Sequence, residues 1–108
     1  MFNPGEVVYL DINGDWLQTD AAATGTSTNM LGIALGSVPS NGILVRGYVV
    51  NQGAWSLNTG APVYLSSGSL GGITNTAPST AGDVVRIIGH AISADKIYFN
   101  PDNTWVEL

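Results

Sequence analysis

The side chains that could perform catalysis are few, and none of them has the neighbours that a reaction needs. His90 is the single histidine of the chain, and it lies inside an apolar segment typical of a β-strand. A nucleophilic mechanism requires a nucleophile, a base and a group that orients the base, but the sequence has no cysteine and no Gly-x-Ser-x-Gly motif. We therefore expect a packing or interface role for His90, and a protein that is not an enzyme, with no catalytic residue and no cofactor.

Acidic residues could instead hold a metal ion. The segment from Asp11 to Asp15 begins like a calcium-binding loop, in which alternate oxygen atoms converge on one cation. The pattern then fails, because Trp16 stands where the loop needs glycine and Ala22 stands where it needs a bidentate glutamate. A hairpin turn accounts for the same residues, since an aspartate side chain in a turn accepts hydrogen bonds from nearby backbone amides. No metal site is expected.

The charge balance argues against nucleic acid as a partner. Three basic and eight acidic residues give the 108-residue chain a net charge of −5. Nucleic-acid binding normally draws on clustered lysines and arginines that neutralise phosphates, whereas Arg46, Arg86 and Lys96 are widely spaced. No apolar run approaches the roughly 18 residues of a membrane span, and the first residues lack the basic and apolar regions of a signal peptide. We expect no nucleic-acid partner, no membrane partner and synthesis in a cytoplasm.

Aromatic residues are the remaining signal of function. Large amphipathic rings line both sugar-binding surfaces and protein interfaces. In a small domain several of them simply fill the core, which is our expectation for Tyr9, Tyr64 and Phe99. Trp55 lies in a loop-like stretch and is the best single candidate for a contact with another subunit or partner. The candidate protein-interface residues are Trp55, Tyr48, Arg46, Arg86, His90 and Trp105.

Short strands must position these side chains, because the apolar residues recur with a period of two and no segment supports a helix longer than one turn. Gly5–Leu10 and Asp15–Thr19 are predicted to pair as a hairpin through Asn13-Gly14, two residues that tolerate positive φ. Ile43–Val50 is the best strand of the first half, and Asp83–Ser93 is the longest β-like segment.

The overall pattern predicts an all-β fold. The length permits one domain, residues 1–108. About nine short strands with turn signals about every 8–12 residues favour a compact small β-barrel or β-sandwich. Within Asp83–Ser93, Gly89 predicts a bulge or a close packing contact. On an unbroken strand, one face of that segment would carry the alternate residues Val84, Arg86, Ile88, His90 and Ile92.

Two pairs of similar segments also suggest an internal repeat. Gly5–Leu10 and Gly60–Leu65 share the pattern Gly-x-x-Val-Tyr-Leu at a separation of 55 residues. Leu31–Leu35 aligns with Ile88–Ile92 at a separation of 57 residues. A single loop of different length in the two halves would explain the difference between the two separations. Coincidence between two β-rich stretches is the alternative explanation. Duplication predicts two similar β-meanders that close on one core, and it says nothing about chemistry.

The C-terminal part of the chain carries the most specific resemblance. Gly82–Ile92, followed by Ile97–Leu108, resembles a small β module found in virion structural proteins of tailed bacteriophages, including cyanophages and other aquatic phages. The ending Tyr-Phe-Asn-Pro-Asp-Asn-Thr-Trp-Val-Glu-Leu is its most specific piece. Upstream segments agree, so the resemblance covers almost the whole chain; they are Tyr9–Leu10, Trp16–Ala21, Leu31–Gly36, Ile43–Gly47 and Gly60–Ser66. In that family the module closes a longer tail-fibre or structural chain, or stands alone as a capsid decoration (cement) protein, and it carries no catalytic residues.

The resemblance implies a structural role on the virion. We expect a capsid decoration protein that binds the outer surface of the assembled head as a homotrimer, with the major capsid protein and copies of itself as partners. The main alternative is a receptor-binding or tip domain of a tail fibre. The tail-fibre hypothesis is favoured if Met1 was added to an excised domain, whereas a native start at Met1 favours the free-standing decoration protein. A carbohydrate-active enzyme on the particle is a third hypothesis.

Overall fold

Short strands form the regular structure of the chain. The structure is a computed structural model, and it describes residues 2–51 and 55–108. Eleven strands lie in these ranges: β1 (Val7–Leu10), β2 (Trp16–Gln18), β3 (Leu31–Ala34), β4 (Ile43–Leu44), β5 (Gly47–Val50), β6 (Pro62–Leu65), β7 (Ile73–Thr74), β8 (Val84–Val85), β9 (Ile87–Ala91), β10 (Lys96–Phe99) and β11 (Val106–Glu107). Thr24–Thr26 and Pro39–Asn41 each form one 3-10 turn. In the ranges described, the helical segments are too short and too polar to cross a membrane.

The strands form three antiparallel sheets. The first has the order β2-β1-β3-β4, the second has the order β7-β6-β9-β10-β5, and β8 pairs with β11 in a small third sheet. The predicted all-β fold is confirmed. The sheets are open, and two of the long predicted strands are divided, which raises the number of strands above the nine that the sequence suggested.

One hydrophobic core draws on both larger sheets. The strand β10 shows the alternation that builds it, because Ile97 and Phe99 are fully buried while Lys96 and Tyr98 are partly exposed. Burying a side chain such as Phe99 stabilises the fold by about 1.5–3 kcal/mol. The core cluster is Val7, Tyr9, Ala21, Leu31, Ile33, Val63, Leu65, Ile88, Ala91, Ile97 and Phe99. Tyr9 and Phe99 are thus core residues as predicted, whereas Tyr64 is only half-buried.

The predicted repeat is present as a repeated sheet topology. The strands β1, β2, β3 and β4 of the first half correspond in order and pairing to β6, β7, β9 and β10 of the second. The register agrees as well, because Val8 pairs with Gly32 and the aligned Val63 pairs with Gly89. We call the first four strands the N-terminal meander and the second four the C-terminal meander.

Both long predicted strands are broken where the chain changes partners. The segment Ile43–Val50 divides into β4, which pairs with β3, and β5, which pairs with β10 in the other sheet. Between them the chain turns away at Val45 and Arg46, and Gly47 adopts a positive φ of 132° that a residue with a side chain rarely adopts. The segment Asp83–Ser93 divides at Arg86, which separates β8 from β9.

The predicted single face of Asp83–Ser93 is therefore wrong. Val84, Arg86 and Ile88 are buried, but His90 and Ile92 are exposed. The cause is a bulge: Val63 pairs with Gly89 and the next residue, Tyr64, pairs with Ile87, so Ile88 is an extra residue in β9. An extra residue reverses the alternation beyond it, and this reversal turns His90 outward.

The first hairpin forms as predicted, but its turn differs from the predicted one. β1 and β2 pair in an antiparallel register that places Leu10 opposite Trp16. In this turn Gly14 takes a positive φ of 83°, whereas Asn13 does not, since glycines are the residues with positive φ in the described ranges. The Asp11 carboxylate closes the turn by accepting hydrogen bonds from the backbone amides of Asn13 and Asp15, each at 2.9 Å.

Candidate functional site

The outer face of the second sheet carries a row of polar aromatic side chains. Tyr48 of β5 lies directly opposite Tyr98 of β10, and Tyr98 lies directly opposite His90 of β9. Directly opposed residues of an antiparallel pair project to the same face. The other face of the same strands is buried, as Ile97 and Ala91 show, so these three side chains must point away from the core.

Two basic side chains hold this row together. The rings of Tyr48 and Tyr98 lie with their centroids 5.1 Å apart and their planes tilted by 50°. Arg46 Nε donates a hydrogen bond of 3.0 Å to the Tyr98 hydroxyl, and Lys96 Nζ lies 5.1 Å from the centroid of the Tyr48 ring. We call the set of Arg46, Tyr48, His90, Lys96 and Tyr98 the tyrosine face.

The tyrosine face concentrates the accessible positive charge of an acidic protein. Two of the three lysine and arginine residues of the chain belong to it, together with the single histidine. Tyr48 remains 63% exposed, so its ring is available for contact. A cation over an aromatic ring contributes about 0.5–1 kcal/mol at an exposed site, which helps to keep Tyr48 in one orientation without covering it.

The third arginine, Arg86, has a different environment. Its side chain is 4% exposed, and it joins the two halves of the chain through backbone carbonyls. Nε donates to Asp102 at 2.8 Å, while Nη1 donates to Ser27 at 3.1 Å and to Asn29 at 2.8 Å. Burial lowers the pKa of Arg86 from its usual value, and the nearby Asp102 charge partly opposes that effect. Arg86 is therefore not on the outer surface, and it is kept in place mainly by carbonyl dipoles.

Beside Arg86 the surface opens into a cleft of about 500 Å³. We call it the Arg86 cleft. The guanidinium carbon of Arg86 lies 5.2 Å from the centroid of the Trp105 ring, and Trp105 is 42% exposed. Met30 and Val45 supply apolar wall on the side of the first half, and Arg46 stands at the boundary with the tyrosine face. The polar lining comes from Thr28, Asn29, Asn100 and Asn103.

The six candidate interface residues thus fall into three places. Arg46, Tyr48 and His90 meet on the tyrosine face, and Arg86 meets Trp105 at the cleft. Trp55 is separate from both groups: it is half-buried and packs against the hydrophobic core. The structure gives Trp55 an intramolecular packing role, next to residues 52–54, which lie outside the described ranges.

Two members of the tyrosine face were not among the sequence candidates. They are Tyr98 and Lys96. The alternation in β10 is the signal that could have found them, because buried Ile97 and Phe99 leave Lys96 and Tyr98 on the opposite face. Their neighbours across the sheet could not be known without the strand order.

The described ranges contain no group of three or more histidine, cysteine, aspartate or glutamate side chains that could hold a metal ion. In comparisons with protein-family models, with curated proteins and with solved structures, no match to this chain was found. The arrangement places aromatic rings and cations on the outer face of one sheet, beside a cleft with an arginine in its wall.

Proposed function

We propose that this chain is a structural binding module of a bacteriophage virion, a capsid decoration protein that attaches to the head through its tyrosine face. The observation that carries the proposal is the row formed by Tyr48, Tyr98 and His90 on three neighbouring strands. Tyrosine, tryptophan and arginine are the side chains that contribute most often to the energy of protein interfaces. The tyrosine face combines such residues on a sheet whose other side is core.

The geometry of this face favours binding without rearrangement. The hydrogen bond from Arg46 and the adjacent Tyr48 ring fix the position of Tyr98 before any partner arrives. Side chains that are already ordered lose less conformational entropy on association. A rigid protein that is added to a shell in many copies benefits from this, since each copy then binds the assembled lattice with the same geometry.

The charge of the face suggests the chemistry of the partner. Arg46 and Lys96 surround the aromatic pair, so a complementary surface on the major capsid protein would present carboxylates around an apolar centre. Binding only to the assembled head would stabilise that head by mass action. Three-fold positions of a capsid favour a homotrimer by symmetry matching, and we propose that assembly for the bound state.

Binding to heads tests the proposal. Purified protein is mixed with expanded, undecorated heads, and the bound copies are counted over a range of concentrations. Saturable binding at a copy number that is a multiple of three per three-fold site is the expected result. Tyr48→Ala should weaken binding by about tenfold or more. Ile12→Ala is the matched control, because Ile12 is a large apolar residue that is 98% exposed in the first hairpin, away from the tyrosine face.

Absence of saturable binding, or equal binding by both variants, would contradict the proposal. A receptor-binding tip domain of a tail fibre is the second candidate, and the Arg86 cleft is the observation that favours it, since attachment to a capsid does not require a ligand-sized cleft. Binding of the same preparation to host cells, with none to heads, would select this alternative.

A further inference from the structure

We infer that the Arg86 cleft binds a carboxylated sugar, such as a hexuronate unit of an acidic polysaccharide. The site goes beyond the attachment role proposed above and holds whether the chain decorates a head or ends a fibre. It is formed by the loop before β3 and the start of that strand, the turn after β4, Arg86 between β8 and β9, and the segment between β10 and β11, so both halves of the chain contribute to its wall.

The first argument is the state of Arg86. Burying a cation is unfavourable unless an anion or several hydrogen bonds compensate it. The three hydrogen bonds of its side chain use Nε and Nη1 and end on carbonyl oxygens. Asp102, the acid whose charge acts on Arg86, instead accepts hydrogen bonds from Thr104 at its Oδ1, at 3.2 Å and 3.1 Å. The guanidinium therefore lies in the cleft wall with its charge only partly compensated.

The second argument is the free nitrogen of that side chain. Nη2 has no hydrogen-bond partner among the described residues, and it is not one of the polar atoms sealed from solvent. Because Arg86 is 4% exposed and lines the cleft, the cleft is where a ligand would meet Nη2. Guanidinium nitrogens bind carboxylates through short charge-assisted hydrogen bonds, and the exposed Arg46 lines the same cleft as a second cation.

The third argument distinguishes a sugar from a simple anion. The cleft volume of about 500 Å³ lies within the range of sites for small organic ligands, and is much larger than a lone carboxylate needs. Trp105 presents an aromatic ring that is 42% exposed, and such rings combine an apolar body with a polar edge. The exposed amides of Asn100 and Asn103 offer donors and acceptors for adjacent hydroxyl groups. A carboxylated pyranose ring matches all three features.

The test uses the isolated, full chain labelled with 15N and three probes: methyl β-D-glucuronide, methyl β-D-glucoside and acetate. We expect saturable chemical-shift changes for the glucuronide that centre on the Trp105 indole and on residues of the cleft wall. The glucuronide should bind about tenfold or more tightly than the glucoside, because one charge-assisted hydrogen bond separates them. Acetate should bind at least about tenfold more weakly than the glucuronide, since it lacks the ring.

Variants locate the site. Asn103→Ala and Trp105→Leu should each weaken glucuronide binding several-fold, whereas Tyr48→Ala, on the tyrosine face and outside the cleft, should leave it unchanged. Asn103 is exposed, so its variant remains informative if Trp105→Leu perturbs folding. Head binding by Asn103→Ala should match that of the unmodified chain, which separates this inference from the proposed attachment role.

Three results would overturn the inference. The first is no saturable change with glucuronide up to about 20 mM, about twentyfold above a dissociation constant of 1 mM. The second is equal affinity for acetate, which would make the cleft a simple anion site. The third is tighter binding of a short acidic peptide than of an oligogalacturonate at the same residues, which would assign the free guanidinium nitrogen to a carboxylate of a protein partner.

Discussion

The N-terminal and C-terminal meanders share four strands and their pairing, and they differ in where the chain goes next. After β4 the chain leaves its own sheet and forms β5 on the edge of the other one, against β10. After β10 the chain stays beside the strand it has just paired with, because the amides of Asn100 and Asp102 donate to the carbonyls of Ile88 and Ile87, and β11 then pairs with β8.

This divergence creates both candidate sites. The departure after β4 brings Tyr48 to Tyr98 and so forms the tyrosine face. The return after β10 brings Asp102 and Trp105 to Arg86 and so forms the cleft. The repeated strands supply the frame, and the segments that break the repeat supply the side chains that can bind. Function in this molecule is therefore best sought where the two halves differ.

The largest expected effect compares two equivalent glycines, Gly32 and Gly89. A Cβ on Gly89 would collide with the backbone carbonyl of Tyr98 in the neighbouring strand, and would lie 3.1 Å from the Tyr98 carbonyl carbon. A Cβ on Gly32 would collide with a methyl group of Ile43, which is a side chain. We expect Gly89→Ala to lower the free energy of unfolding by about 4 kcal/mol, and Gly32→Ala by about 1–2 kcal/mol after side-chain adjustment.

Urea denaturation followed by tryptophan fluorescence measures both values. The relevant control is Gly68→Ala, because a Cβ there meets nothing within 4 Å and the glycine lies in a loop. Equal losses at Gly32 and Gly89 would mean that the two meanders tolerate strain alike, and that the contact of β9 with β10 is looser than its geometry indicates.

The next effect concerns the two arginines that border the cleft. Arg86→Met would leave the carbonyl groups of Ser27, Asn29 and Asp102 without their donor, and we expect a loss of about 2–4 kcal/mol in the free energy of unfolding. Arg46→Met removes an exposed side chain with one hydrogen bond to Tyr98, and should cost less than about 0.5 kcal/mol. Denaturation of both variants beside the unmodified chain is the measurement. A small loss for Arg86→Met would show that the halves do not depend on this link.

The sequence predicts the shared parts of the two meanders better than the parts that differ. The alternation of apolar residues and the Asn13-Gly14 signal are enough to predict the first hairpin. The repeated Gly-x-x-Val-Tyr-Leu pattern is enough to predict that β1 and β6 are equivalent strands. The break at Arg86 carries no local signal, because the residues around it continue the apolar alternation, whereas the break at Arg46 is marked locally by Gly47. Other parts of the fold determine where β4 and β8 end. After β4 the chain pairs with the edge of β10 and forms β5, and after β8 the Arg86 side chain reaches the carbonyls of the loop before β3.

The candidate site follows the same rule. Tyr48, Arg46 and His90 could be selected as residues able to form an interface, since their types favour it. Their meeting on one face depends on the bulge at Ile88 that turns His90 outward. Gly89 predicts a bulge or a close packing contact in this segment, but the period-two pattern does not show which residue is the extra one. Trp55 remains a predicted contact residue, and the structure adds that it packs against the core of its own chain.

A smaller effect tests how firmly β5 is attached to the C-terminal meander. Tyr48 and Tyr98 have their ring centroids 5.1 Å apart, and such aromatic pairs contribute about 0.5–1.5 kcal/mol beyond the area they bury. In a double-mutant cycle with Tyr48→Ala and Tyr98→Ala, we expect a coupling energy near the lower end of this range because Tyr48 is 63% exposed. A coupling of zero would mean that the rings are neighbours without interacting, and that the tyrosine face is not ordered in advance.

The last comparison, in which the two expected losses differ by only about 0.5 kcal/mol, concerns the turns that follow β1 and β6, where Asp11 and Ser66 occupy aligned positions 55 residues apart. The Asp11 carboxylate accepts two backbone amides at 2.9 Å, whereas the Ser66 hydroxyl accepts one, from Gly68, at 3.1 Å. Because hydrogen bonds to a charged acceptor are the stronger ones, Asp11→Ala should reduce the free energy of unfolding by about 1 kcal/mol, and Ser66→Ala by about 0.5 kcal/mol or less. The opposite order would place the better-fixed turn in the C-terminal meander, despite its longer run of glycine and serine.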